Sequence, residues 1–181
     1  LTRTKNRRAF DEYLARLWNQ ATEDSRAIAI VLIDVDHFKA YNGRHGHQAG
    51  DQALRRVAET VQAFVRRPLD VMERSGDAAL VALLYDIDRG QAMNIANRIC
   101  RAVEESAIEQ RGSKASNKVT ISVGVAVIEP TIERSPRGAL QLADQALYEA
   151  KAKGRNRVEC MDNSEYGMLV TGMFSKRSSR R

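Results

Sequence analysis

The chain predicts an α/β domain of the α+β kind, with a central, mostly antiparallel sheet flanked by helices. Three observations carry that reading. Apolar residues recur at helical spacing in four segments and as short or alternating runs in five. The segments follow one another as α, then β-α-β-β-α-β, then α and a last short β. Two of the runs flank Ser75, Gly76, Asp77 and Ala78, which is the signal of a hairpin.

Each element has its own justification. Phe10, Leu14, Leu17 and Trp18 give a first amphipathic helix over 8–20, with Asn6 as a plausible cap. Ala27 to Asp34 is an apolar run that reads as a buried strand. Leu54, Val57, Ala58, Val61, Phe64 and Val65 mark a second helix; Gly50 and Asp51 open it, and it ends near Arg66, where Pro68 stops it. Asp70–Arg74 and Ala79–Tyr85 are the hairpin strands. Ile95, Ile99, Ala102 and Val103 define a third helix. Val119–Ile128 alternates and is rich in valine and isoleucine, so it reads as a strand. Leu140, Ala143, Leu147 and Ala150 define a fourth helix that stops at Gly154. Val158–Met161 is a candidate edge strand. The middle of this order is the ferredoxin-like βαββαβ arrangement, with its helices expected on one face of the sheet.

A length of 181 residues suits one domain with a real core, and 43% hydrophobic residues is ordinary for one. Residues 1–161 are expected to form that domain, and 162–181 a basic, flexible tail. The abrupt basic start, Leu1 to Arg8, reads as a fragment of a longer protein. No apolar run approaches the roughly 20 residues of a membrane span, and no signal peptide is visible. The net charge of +6 sits at the ends: four positives before Ala9 and a surplus of two after Met161. The middle is neutral, which argues against a DNA-binding face. Cys100 and Cys160 lack metal or redox spacing, and free thiols fit the cytoplasm.

The chemistry concentrates between Val31 and Leu54. The first strand ends in Asp34 and Asp36, whose two-residue spacing sends both carboxylates to one face of a strand end. Open α/β layers place their sites there. Phe38, Lys39 and Asn42 follow, then a turn rich in glycine and histidine. Oxygen ligands suit a hard divalent cation, and cations with backbone N–H groups suit phosphate.

These residues belong to an ordered set of motifs. Asp34-Val35-Asp36-His37-Phe38-Lys39, Asn42, Gly46-His47, Gly50-Asp51 and Leu54 form a first block. Thr120, Ser122, Gly124 and Val125 mark a strand. Ala143-Asp144, Ala146-Leu147-Tyr148, Ala150-Lys151 and Gly154-Arg155-Asn156-Arg157 close it. Over about residues 1–160 the sequence resembles the GGDEF domain family, the diguanylate cyclase domains of bacterial second-messenger signalling. The resemblance implies a palm-type, nucleotidyl-cyclase-like fold and a reaction that joins two GTP into cyclic di-GMP across a homodimer, with Mg2+. It also implies sensor or output domains attached to this one. It makes Asp34 a metal ligand and Asn42 with Asp51 a guanine-reading pair. Phe38, Lys39, Lys151 and Arg155 become nucleotide contacts. Without the family, Asn42 is a turn residue, Asp51 a helix cap, and the cations complement helix ends. Arg67 and Asp70, with Arg98, fall at the spacing of the family's inhibitory cyclic di-GMP site; without it, they are a surface ion pair. His45 and His47 match a loop, with no third residue to make a zinc site.

The signature loop departs from the pattern. Anchored on Asp70, Arg74 and the run from Leu80, it reads Gly76-Asp77-Ala78-Ala79-Leu80 where Gly-Gly-Asp-Glu-Phe is expected. Methyl groups replace both acids, and methyls cannot bind Mg2+. Asp77 stands where a glycine would approach phosphate, which also makes it a substitute acid if catalysis persists. Three readings stay open: a catalytically impaired module binding cyclic di-GMP or GTP, an active cyclase with an unusual loop, and a dimerisation domain with relic sites.

Overall fold

A computed structural model describes residues 2–108 and 118–164, with side chains from Arg8 onward. The elements are α1 (Thr2–Asp24), β1 (Ile28–Val35), α2 (Phe38–His45), α3 (His47–Gln62), β2 (Val71–Arg74), β3 (Ala79–Tyr85), α4 (Arg89–Glu105), β4 (Ile121–Ile128), α5 (Pro136–Ala152) and β5 (Arg157–Asp162). The tail beyond Ser164 lies outside the described residues.

The five strands form one sheet in the order β2-β3-β1-β4-β5. β1 pairs antiparallel with both β3 and β4, β2 pairs antiparallel with β3, and only β5 joins in parallel, on the outside of β4. A central strand flanked on both sides and covered on both faces needs no polar alternation, which is why β1 reads as one apolar run.

Successive β1 residues turn to opposite faces. Ala29, Val31, Ile33 and Val35 meet Leu54, Val57 and Val61 of α3 and Ala92, Ala96, Ile99 and Val103 of α4. Ile28 and Ile30 meet Phe10, Leu14, Leu17, Trp18 and Ala21 of α1 and Ala139, Leu142 and Ala143 of α5. The helices therefore cover both faces, not one. The apolar stripe of α1 required a second covered face, because a helix buries its stripe only against another element.

α5 lies directly on β4. A Cβ at Gly124 would overlap the backbone of Ala143 and Leu147, so only glycine lets the helix come this near. Ser135 caps α5 by accepting from the Gly138 N–H at 3.1 Å, and Pro136 follows at the first helical position. Asp88 and Gln91 form a capping box on α4.

Two expectations are corrected. The glycine- and histidine-rich turn is mostly helix. α2 runs from Phe38 to His45, breaks at Gly46 (φ 82°), and α3 starts at once with His47. Phe38 and Tyr41, stacked at 6.5 Å, bury one side of α2 and outweigh its Gly43. Gly50 and Asp51 thus lie inside α3 and do not open it. At its other end α3 stops at Gln62, before Arg66, because the Phe64 and Val65 amides bond the carbonyls of Val61 and Gln62, three residues back.

Candidate functional site

The end of β1, the start of α2, the β2–β3 hairpin and the end of α5 enclose a cleft of about 720 Å³. Asp34, Asp36, Phe38, Lys39, Asn42, Asp77, Lys151 and Arg155 all line it. The cleft brings together every residue of the expected nucleotide set except Asp51, which is exposed on α3 one position after Gly50. Gly50 itself touches Asn42, since a Cβ there would overlap the Asn42 amide. Asn42 Oδ1 is buried without a hydrogen-bond partner. Asn42 lies in α2, not a turn, and Asp51 lies inside α3, whose cap is Gly46, so neither fills the local structural role open to it.

The two strand-end acids have different duties. Asp34 shares an ion pair with Lys151 Nζ and is partly exposed. Asp36 is buried and accepts from Ser122 Oγ at 2.6 Å, Thr120 Oγ1 at 2.8 Å and the Asn156 N–H at 3.1 Å. Its own N–H donates to the Thr120 carbonyl at 2.9 Å. Asp36 is a strut that fastens the α5–β5 turn to β4, not an open carboxylate of the cleft. Polar Thr120 and Ser122 at the head of an otherwise apolar strand were the signal, because a buried hydroxyl needs a partner. Beside this strut Cys100 is buried; desolvation first, then Asp36 and Glu104, push its thiol up to about 11.

Across the cleft, β1–β3 register sets Asp34 opposite Ala79, so the two side chains share a face. The Ala78 carbonyl accepts from the Val35 N–H at 3.1 Å. Arg74 holds the turn, donating to the carbonyls of Gly76 and Asp77 at 3.1 Å each. The second of the two replaced acids would have stood opposite Asp34, where the Ala79 methyl stands, and the Ala78 methyl lines the cleft. A Mg2+ site does not fit this donor set. Asp34 is engaged by an ammonium and Asp36 by three donors. His45 packs on Tyr41 at 4.6 Å, and His47 opens α3.

The second expected site is a surface cavity of about 500 Å³ lined by Arg67 and Asp70 among others. Arg67 grips Asp70 through two bonds of 2.8 and 3.0 Å, and Asp70 also accepts from the Tyr85 N–H at 3.1 Å. The Asp70 carboxylate is 1% exposed, so it is already spent within the chain. Arg98 is not brought into this lining; its guanidinium stacks over Phe64 at 5.2 Å. The turn is tied to α1: Tyr13 Oη donates to the Leu69 carbonyl at 2.7 Å, and Tyr85 Oη donates to Asp24 at 2.5 Å. That last bond pushes the Tyr85 phenol up to about 12 and lowers Asp24.

The family described as Diguanylate cyclase, GGDEF domain, matches residues 1–157. Diguanylate cyclase A of Treponema denticola is 37% identical over 146 residues, covering 81% of this chain and 38% of that protein. Response regulator PleD of Caulobacter vibrioides is 35% identical over 158 residues, covering 87% of this chain and 34% of that protein. The chain thus spans under half the length of these curated relatives. The crystal structure of the GGDEF domain of DgcB from Caulobacter crescentus, in complex with c-di-GMP, superposes with a TM-score of 0.77 at 31% identity, covering 86% of this chain and 90% of that one. No helix among the described residues is long and apolar enough to cross a membrane. With a mixed five-stranded sheet flanked by helices and this match over most of its length, the chain belongs to the GGDEF domain family of diguanylate cyclases.

Proposed function

We propose that this domain binds cyclic di-GMP, or GTP, as a regulatory module of cyclic di-GMP signalling, and that it does not condense nucleotides. The observation behind this is the asymmetry of the cleft. One wall carries Lys39, Asn42, Lys151 and Arg155, while the hairpin brings Ala78 to the lining and sets Ala79 opposite Asp34 in the β1–β3 ladder. In-line phosphoryl transfer depends on cations that stabilise the attacking and leaving oxygens, and the wall that would recruit them has no carboxylate at either position. The cradle needs no such acids. Cations meet phosphate, and the amide of Asn42 with the carboxylate of Asp51 offers acceptors and donors to a guanine edge. At Arg67 and Asp70 the ligand-facing group is Arg67, whose fork suits phosphate or a guanine Hoogsteen edge. Attached input or output domains fit a module that spans a minor part of its relatives.

Calorimetry with cyclic di-GMP, run beside incubation with GTP and Mg2+ or Mn2+ and chromatography of the products, tests this. Binding without product is the expected result, with affinity lost in the Arg67→Ala or the Lys151→Ala variant. One observation favours a second reading: Asp77 lines the cleft on the hairpin and supplies one acid. That reading requires cyclic di-GMP to form and to disappear with Asp34→Ala. No heat and no thermal shift with either nucleotide would leave a dimerisation domain with relic sites.

A further inference from the structure

The proposed binding role leaves open what neutralises the phosphates, and the Asp34–Lys151 pair bears on that. Divalent magnesium is held by protein through one or two carboxylates that keep oxygen lone pairs turned toward the ion. Here the Asp34 carboxylate turns one oxygen, Oδ2, to the Lys151 ammonium. Asp36 spends one oxygen on Ser122 and the other on Thr120 and the Asn156 N–H. Ala79 faces Asp34 across the strand pair with a methyl group. The remaining lining carboxylate, Asp77, sits on the exposed hairpin turn whose carbonyls Arg74 holds. Three fixed cations, Lys39, Lys151 and Arg155, line the cleft beside these three carboxylates.

Resting on the nucleotide-binding reading, we infer that this cleft takes guanine nucleotides as metal-free polyanions, with Lys151 as the built-in counter-ion. A lysine ammonium is a compact, strongly hydrated point charge, and in this place it does for Asp34 what a bound cation would do. It cancels the carboxylate that would otherwise repel phosphate, and it presents the positive side of that pair to the ligand. Chelation of the phosphates by free Mg2+ removes charge from the ligand, so magnesium competes with Lys39, Lys151 and Arg155 rather than assisting them. The polyanion keeps all its charge only when no metal is present.

The test is calorimetric titration of the 181-residue chain with GTP, once in EDTA and once in millimolar Mg2+, with cyclic di-GMP titrated in parallel. The expected result is GTP affinity in EDTA equal to or tighter than that in Mg2+. In EDTA, Asp34→Asn should hold or tighten GTP binding by releasing Lys151 to the phosphates, and Lys151→Ala should weaken it at least tenfold. GTP binding that is tenfold or more tighter in Mg2+, or that appears only there, overturns the inference and leaves nucleotide binding intact. Cyclic di-GMP binding with no GTP binding in either buffer overturns the inference alone. Silence of both ligands in both buffers overturns the inference and the binding reading together. Thermal melts of each variant, taken in the same buffers, separate a lost site from a lost fold.

Discussion

Replacing Asp36 with alanine tests the claim that this carboxylate is a strut. The residue is 4% exposed and receives three donors, at 2.6, 2.8 and 3.1 Å. Stripping one partner from a buried charged arrangement costs about 3–5 kcal/mol. The lower end applies here, because two of the donors are hydroxyls that can rotate toward other acceptors, and the cost of desolvating the carboxylate is recovered when it is removed. The Asn156 N–H cannot rotate away. We expect a loss of about 3 kcal/mol, which is a large share of a total of about 5–15 kcal/mol. In a domain this long the melting midpoint should fall by about 6–12 °C. Asp36→Asn keeps an acceptor but loses the charge, and should cost about half as much. Urea unfolding followed by the fluorescence of Trp18, buried on the opposite side of the sheet, reads the change without touching the strut. An Asp36→Ala variant within 1 kcal/mol of the parent, at equal denaturant slope, would refute the strut and return Asp36 to the open cleft.

Gly124→Ala should destabilise by about 2–3 kcal/mol in the same assay, because the added methyl meets helix backbone, which cannot rotate aside. It should also weaken nucleotide binding, since α5 carries Lys151. Tyr85→Phe removes a phenol whose folded value is raised to about 12 from 10.0, chiefly by its hydrogen bond to Asp24. A raised value stabilises the fold fully below pH 10 and loses that contribution as pH climbs toward 12, so melts across that window should fall more steeply for the parent than for the variant. Asp24, lowered by the same bond, gives a contribution present above pH 3.8 and lost on acidification. With an excess of a thiol reagent at pH 8, Cys160 should react well before Cys100, which is buried and whose thiol stays protonated up to about 11; equal rates, read by mass spectrometry of digests, would contradict the buried environment of Cys100.

Much of the fold was legible because periodicity reports burial. Ala79–Tyr85 emerged with the bounds read from the sequence, and the runs behind β1 and β4 shifted by only a residue or two. α2 was not legible from composition. Gly43, Gly46 and the histidines look like a turn, and only the three- and four-residue steps from Phe38 to Tyr41 to His45 betray a packed helical side. The cleft was legible as a set of motif positions: Asp34, Asp36, Lys39, Asn42, Lys151 and Arg155 converge there, and Asp51 alone of that strand–helix set lies outside the lining. The division of labour between Asp34 and Asp36 was not legible, since two-residue spacing fixes a shared face but says nothing about which acid finds hydroxyls waiting on the next strand. Arg98 shows the same limit: spacing along the chain does not fix where a long side chain rests when an aromatic ring such as Phe64 is in reach.

The naked spot at Gly124 has a consequence for how this domain can drift. Main chain rests on main chain there, so the height of the ledge that carries Lys151 and Arg155 is set at that point by peptide geometry. The hairpin with Ala78 and Ala79 hangs from the β1–β3 ladder, on the other side of β1, and from the Arg74 clasp. Substitutions on the hairpin turn therefore leave the helix-on-strand contact at Gly124 untouched, and the two sides of the cleft can vary one at a time.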